Sequence, residues 1–406
     1  MAQLSISDWR LPWQLLLLSL GLSRRPCVAA SESRLPPVIF VPGFAGSLLE
    51  ADINRDSAVN DLCRLSGKED VWFSKLKFLP VYVDCWLEEM RLKLELNASR
   101  AAGQELDTDT SSGVRVHTKA YGSVRDAFFD YGAYHDGMGI WTSTIQHLKL
   151  LGYNESRDMF GAPYDWRRGP AYWKQHDWPQ LKAFVEEKVQ AAGTPAIFVT
   201  VSMGSPYLAA FLHHAVGVDP AWKQRHVASF VSFSGVFGGT LAGLGFALWG
   251  DAMPLQKVKL GYDVAAPPFV GSQKLKRLMS SWGGMDALFP RPSGSEAQAL
   301  VQLPSAFRGN LTDEDLQEVL SEVFPELGVL YELASAFPID LHPGVETLCI
   351  FGAGLPSPSR YVYLDVPINS SGSSPKSSVL RSGLKVVKDL RAGRRPPEDA
   401  LSLGAC

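Results

Sequence analysis

No apolar run in this sequence is long enough to cross a bilayer as an ordinary transmembrane helix, which needs about 20 residues. The longest, Leu11 to Leu22, falls short. Neither sign of charge dominates: 39 Lys and Arg stand against 42 Asp and Glu, a formal net charge of −3. That excludes the broad positive field of a nucleic-acid binder. Histidine is scarce, and none follows His342, so the last part of the chain offers no imidazole. No group of His, Cys, Asp and Glu has metal-ligand spacing, and neither metal nor other cofactor is expected. What is present is ordinary globular composition, 46% hydrophobic and 20% charged over 406 residues. That is room for one large domain with insertions, or for two or three smaller ones. The 27 prolines and 36 glycines imply many loops.

The short apolar run, followed by Val28, Ala29 and Ala30, reads as a secretory signal over residues 1–30, cleaved after Ala30. The mature chain is then expected in the secretory pathway, in the extracellular space or the lysosomal lumen, where disulfides form. Cys27 lies in the signal; Cys63 and Cys85 are the natural pair, and Cys349 and Cys406 remain. Asn97, Asn154, Asn310 and Asn369 each begin a glycosylation triplet.

The stretch Ala196-Ile197-Phe198-Val199-Thr200-Val201-Ser202-Met203-Gly204 carries the strongest chemical signal. A β-branched and aromatic run leads through a serine into a helical pattern at Tyr207 to Leu212. That is the layout of a nucleophile elbow, which pushes a serine hydroxyl out of a strand end. The backbone N–H of Met203 then faces an oxyanion formed there. The usual elbow has small residues two before and two after the serine, because these crowd each other. Gly204 meets that need and Thr200 does not. Upstream, the buried strand Val38 to Val41 runs into Pro42-Gly43-Phe44-Ala45-Gly46-Ser47, where the Phe44 N–H would be the second oxyanion donor.

Other strands are expected at Val114 to Val116, Val227 to Phe233 and Thr347 to Phe351, and helices at Ile140 to Leu151, Leu181 to Val189 and Asp313 to Ala336. Strands alternating with helices imply a mostly parallel sheet. Asp165 and Arg167 read as an internal ion pair holding a turn. From about 240 to 340 no clear strand is expected, and the stretch reads as a cap over the sheet. Between Cys63 and Cys85 lie Trp72, Phe73, Phe78, Leu79, Val81 and Tyr82, with Trp86 just after and Lys75 and Lys77 interleaved. Such a loop either docks on a lipid surface or packs on the core. Ser370 to Ser378 and the basic residues after it read as a solvated end.

Several of these segments, in order, resemble the lecithin:cholesterol acyltransferase and lysosomal phospholipase A2 family. They are Val38 to Ala51; the Cys63 loop with Phe78-Leu79-Pro80 and Val83-Asp84-Cys85-Trp86; Ala162-Pro163-Tyr164-Asp165-Trp166-Arg167; Val201-Ser202-Met203-Gly204; Gly238-Gly239; and Phe351 to Pro358. Together they span most of residues 36–365. The resemblance implies an α/β-hydrolase core, a disulfide-closed membrane-binding subdomain and a lid. The expected organisation is a core of residues 31–235 with the membrane-binding part at 60–90, a cap at 236–340 and a core continuation at 341–365, with an atypical basic tail at 366–406 outside the resemblance. Ser202 takes the nucleophile's place, and Phe44 and Met203 the oxyanion positions. Trp72, Phe73, Phe78, Leu79, Val81, Tyr82 and Trp86 fall in the membrane-binding region. The implied partners are a phospholipid membrane or lipoprotein surface, and a lipid alcohol or water as acyl acceptor.

The chain departs from the family where the remaining catalytic groups belong. Val201 stands where the family carries His, no Asp-Gly motif follows Pro358, and no histidine follows His342. No triad Asp or His is therefore found. His213 and His214, in the helix after Ser202, read as surface histidines. The expected function is acyl transfer from a phospholipid through an acyl-serine to an alcohol or to water. The alternatives are a lipid-binding form without turnover and a serine esterase acting on substrates other than lipids.

Overall fold

The computed structural model describes residues 35–74, 76–94, 107–108, 113–128, 140–155, 157–244, 272–291, 299–302, 311–312, 315–323, 325–335, 342–352 and 361–362. The expected signal peptide, the asparagines Asn97, Asn310 and Asn369, Cys406 and the tail lie outside them.

The centre is a five-stranded sheet in the order Thr347–Ile350, Val227–Phe233, Ala196–Val201, Val38–Val41, Met159–Gly161. Each neighbouring pair is parallel. Parallel strands are covered on both faces, so their sequences read as continuous apolar runs. Successive residues still point to opposite faces, and the two cores divide accordingly. Val38 and Phe40 join Val199, Val201, Trp141, Ile145 and Phe128 on one side. Ile39 and Val41 join Phe198, Phe230, Leu181, Val185 and Leu208 on the other. The Ile140–Leu150 helix covers the first face, and the Trp178–Ala192 and Gly204–Ala210 helices the second. Full burial of one such large side chain is worth about 1.5–3 kcal/mol. The Trp178–Ala192 helix starts with proline in its first turn and stops at Gly193, whose φ of 72° continues no right-handed helix. This is the α/β-hydrolase-like arrangement that the sequence predicted.

An antiparallel sheet stands beside it, with Leu49–Asn54 between Ser66–Trp72 and Val114–Thr118. Leu49, Ala51 and Ile53 point inward, while Glu50, Asp52 and Asn54 alternate with them. Asp52 meets Lys68 at 3.1 Å and His117 at 3.2 Å on the outer face. The Cys63–Cys85 disulfide closes this region onto the helix Val83–Met90.

The stretch at 240–340 departs from expectation. Among its described residues are the helices Ser272–Met279, Leu316–Val323 and Pro325–Ser335, but Ala299–Gln302 and Leu311–Thr312 are strands. They form a small sheet with Tyr361–Val362, which pairs with Ala299–Gln302 and not with the central sheet. Strands of two to four residues are too short to show an alternation in sequence. Among the described residues no helix is long and apolar enough to cross a membrane.

Candidate active site

Ser202 occupies the turn between the Ala196–Val201 strand and the Gly204–Ala210 helix, with φ of 50°. A non-glycine residue in that region is strained, and strain at a strand–helix turn is what an elbow requires. Its N–H donates to the Phe233 carbonyl at 3.0 Å, and its own carbonyl accepts from the Ser205 N–H at 3.1 Å. The turn is thereby pinned on both sides, with Ser202 half-buried at the sheet's carboxyl end.

Thr200 is tolerated for a reason the sequence hid. It is fully buried, and its Oγ1 lies 2.7 Å from Ser205 Oγ and 3.5 Å from the Val231 carbonyl. Ser232 donates to Ser205 Oγ at 2.8 Å. The three hydroxyls make one chain under the elbow, with the Val231 carbonyl as its last acceptor. Gly204 does not owe its size to residue 200. A Cβ there would run into the Pro42 carbonyl oxygen and stand 2.7 Å from that of Val41. The expected crowding between positions 200 and 204 is thus replaced by crowding against the neighbouring strand's end. Ser205 and Ser232 carried no signal in the sequence, because their meeting depends on the register of two strands and a helix.

That strand end leads into the proposed oxyanion loop. A Cβ on Gly43 would stand 3.1 Å from Ser202 Cβ, so the loop passes directly over the serine. Gly46 N–H bonds to Gly43 carbonyl at 3.0 Å, and Ala45 takes φ of 61°. The Phe44 ring sits edge-on to Trp166, with centroids 5.0 Å apart, and 6.1 Å from Trp282. Phe44 and Met203 therefore flank Ser202 from the two segments that the sequence named, and Met203 is fully buried.

The Ala162–Arg168 segment braces this loop. Tyr164 N–H donates to Ser47 Oγ, and Trp166 Nε1 to the Ser47 carbonyl, both at 3.1 Å. Arg167 grips Asp165 in bidentate fashion, with Nη2 to Oδ2 at 2.6 Å and Nε to Oδ1 at 2.9 Å. Burial pushes the Asp165 carboxyl up, but the guanidiniums of Arg167 and Arg168 outweigh it and hold it below its usual value. Arg167 Nη1 and Trp282 Nε1 both donate to the Met90 carbonyl. The pair is a structural brace, as read from the sequence. Asp177, which the sequence reading passed over, is the reverse case: burial, aided by Asp165 and opposed by Arg168, holds it well above its usual value.

Among the described residues, no hydrogen bond reaches the Ser202 hydroxyl. His213 and His214 begin 11 residues along the elbow helix and its continuation, about 16 Å at 1.5 Å per residue. His213 is exposed, and His214 stacks on Trp178. His342 is exposed and its Nδ1 accepts from Gly344 N–H. None of the three is placed at the elbow.

The aromatic loop is only partly on the surface. Trp72 and Trp86 are core residues, with indole N–H groups on the carbonyls of Ala45 (2.6 Å) and Val71 (3.0 Å). A buried indole needs such an acceptor, and both rings pack in a cluster that includes Trp166. Phe73 and Tyr82 are half-buried, and the Phe78 side chain lies outside the description. Leu79 and Val81 are exposed, as is Leu76, which the sequence reading did not single out. Lys77 points inward, to Glu69 and Glu89. Of the four glycosylation asparagines, Asn154 is described, and it is exposed.

A family model described as Lecithin:cholesterol acyltransferase matches residues 68–290, more than half of the chain. The chain is 30% identical over 345 residues to a Mus musculus protein named lysosomal phospholipase A and acyltransferase, covering 82% of this chain and 76% of that one. Identity to its Homo sapiens counterpart is 29% over 360 residues, covering 87% and 80%. Identity to the Homo sapiens phosphatidylcholine-sterol acyltransferase is 27% over 376 residues, covering 87% and 78%.

Proposed function

Because the chain belongs to the lecithin:cholesterol acyltransferase family, we propose that it acts on the acyl esters of phospholipids, with Ser202 as the nucleophile. The observation that carries this reading is Ser202 held at φ of 50° beneath the Gly43–Phe44 loop. Ser202 Oγ attacks the ester carbonyl carbon and gives its proton to water. The carbonyl oxygen becomes an oxyanion, which the Phe44 and Met203 N–H groups receive. Collapse breaks the ester bond and releases the lysophospholipid oxygen, which takes a proton. Water or a lipid alcohol then attacks the acyl-serine and restores the hydroxyl.

Two features support a lipid substrate. Leu76, Leu79 and Val81 are 55%, 47% and 54% exposed, which is unusual for three apolar side chains in one short loop. We assign this loop to a phospholipid surface, in line with relatives whose names specify phospholipase and phosphatidylcholine chemistry. Residues 236–340 serve as the cap: Trp282, which precedes the turn at Gly283–Leu288, sits beside the Phe44 ring. The Cys63–Cys85 disulfide supports passage through the secretory pathway to the lysosomal lumen or the extracellular space.

One observation favours a second reading, a lipid-binding protein without turnover. No described histidine or aspartate bonds the Ser202 hydroxyl, and loss of the base typically lowers the rate about 10⁴–10⁶-fold. The two readings separate in one experiment. Phospholipid acyl release and labelling by a fluorophosphonate are measured for the purified chain and for Ser202→Ala. Release and labelling that vanish in Ser202→Ala establish the enzyme. A folded chain that binds liposomes but neither releases acyl chains nor takes the label is the second reading.

A further inference from the structure

We propose that Lys77 is the positioning residue of the lipid-docking loop: drawn inward onto Glu69 and Glu89, it fixes the turn that presents Leu76 and Leu79 outward. The inference rests on the lipid-docking reading above. A lysine between apolar residues at a lipid surface ordinarily carries its ammonium out to water or phosphate. Lys77 does the opposite. It is 4% exposed, and its Nζ lies 2.6 Å from Glu89 Oε2 and 2.8 Å from Glu69 Oε1.

The backbone explains the division of labour. Leu76–Phe78 is a 3₁₀ turn. With three residues per turn, positions 76 and 79 share a face and position 77 is rotated away from it. Leu76 and Leu79 therefore face out together while Lys77 faces in. The backbone N–H bonds of Leu79, Tyr82 and Val83 end on Leu76 and Leu79, so they shape the turn and tie its far end to the start of the Val83–Met90 helix, leaving the Leu76–Phe78 end to be held by side chains. The ion pairs of Lys77 supply the fastening. Glu69 belongs to the Ser66–Trp72 strand and Glu89 to the Val83–Met90 helix. Arg55 holds Glu89 from the other side at 3.2 Å and also binds Glu88 at 2.9 Å. A loop fixed before it meets a membrane avoids the ordering cost otherwise incurred on binding.

The anchor also titrates. Burial pushes Glu89 up to about 7, against the pull of Lys77 and with help from the like charge of Glu69. Lys77 and Arg55 face Glu89 with opposite charge, and Glu69 and Glu88 stand next to it. Above pH 7 Glu89 is ionised and holds Lys77 as a full ion pair; below it Glu89 is neutral, and the loop is less firmly held.

The test uses the full chain with its disulfide intact and vesicles of pure phosphatidylcholine, whose zero net charge removes any simple attraction for lysine. Partitioning is measured by cosedimentation at pH 5.5 and 8 for the wild type, Lys77→Met, Lys77→Arg, Glu89→Gln and Leu79→Ser. Lys77→Met keeps the apolar stem and is expected to bind about tenfold more weakly at pH 8, with Lys77→Arg close to wild type. Wild-type binding is expected to strengthen from pH 5.5 to 8, and that of Glu89→Gln to stay flat. Folded Lys77→Met that binds like the wild type, while Leu79→Ser does not, overturns the role of Lys77 and leaves docking intact. Unchanged binding by Leu79→Ser sinks the docking reading and this inference with it. If Lys77→Met does not fold, the pH profiles decide: a flat wild-type profile overturns the proposal.

Discussion

Ser205 is the residue whose loss the site would feel without any change at Ser202. Its Oγ accepts a hydrogen bond from Ser232 and lies 2.7 Å from Thr200 Oγ1. Alanine there leaves a buried donor on one side and a buried hydroxyl on the other, each without its partner. One unsatisfied buried group costs about 1–3 kcal/mol. Ser205→Ala is therefore expected to lower stability by about 2 kcal/mol, read as a shift of the urea midpoint. Thr200→Val should do less, since Ser205 keeps the bond from Ser232. Equal effects of the two would show that the chain of hydroxyls is not the unit. Gly204→Ala is a different kind of change: its Cβ would meet the Pro42 and Val41 carbonyls, and backbone cannot swing aside as a side chain does. It is expected to give little folded protein, judged by soluble yield and the cooperativity of melting.

At the scale of elements, the docking loop makes the sharpest prediction. Replacing Leu76, Leu79 and Val81 together by serine removes exposed apolar surface, so stability should hold within about 0.5 kcal/mol, as for surface substitutions generally. Liposome partitioning should fall at least tenfold. Replacing Trp72 and Trp86 should instead destabilise the fold, by about 3–5 kcal/mol for each truncation to alanine, because both are buried. The sequence had placed Leu79, Val81, Trp72 and Trp86 in one group. Its apolar composition marked the loop, but composition cannot say which way a tryptophan turns. The parallel strands were legible because burial on both faces leaves uninterrupted runs such as Val38-Ile39-Phe40-Val41, bounded by proline and glycine. Ser66–Trp72 was not, since four of its first five residues are polar or charged and its place comes from pairing with Leu49–Asn54. The elbow serine was legible from strand, turn and helix in succession. What holds it was not: the brace through Tyr164, Trp166 and Arg167 joins residues more than 70 positions apart.

Three carboxylates shape how the whole molecule answers to pH, and two of them pull the same way. Asp165, held low by its arginines against burial, adds stability above the unfolded value of about 3.8 and loses it as pH falls through its folded value. Asp177, held well above 3.8 by burial and by Asp165, does the opposite: its contribution is complete below 3.8 and is lost as pH rises toward the folded value. Glu89 behaves like Asp177, over a window from 4.5 to about 7. Between pH 5 and 7.5 Asp165 is already ionised in both states and contributes no slope; Asp177 and Glu89 pull one way, and His213, held below 6.5 by burial and by His214, pulls the other way more weakly because its imidazole is exposed to solvent. The urea midpoint of the full chain is expected to be higher at pH 5 than at pH 7.5. Asn at 177 and Gln at 89 stay neutral at every pH, so Asp177→Asn and Glu89→Gln should each shrink that difference, and the double variant should shrink it further. A midpoint that rises toward pH 7.5 and ignores both substitutions would mean that these carboxylates ionise in the folded chain without penalty, through solvent reaching them.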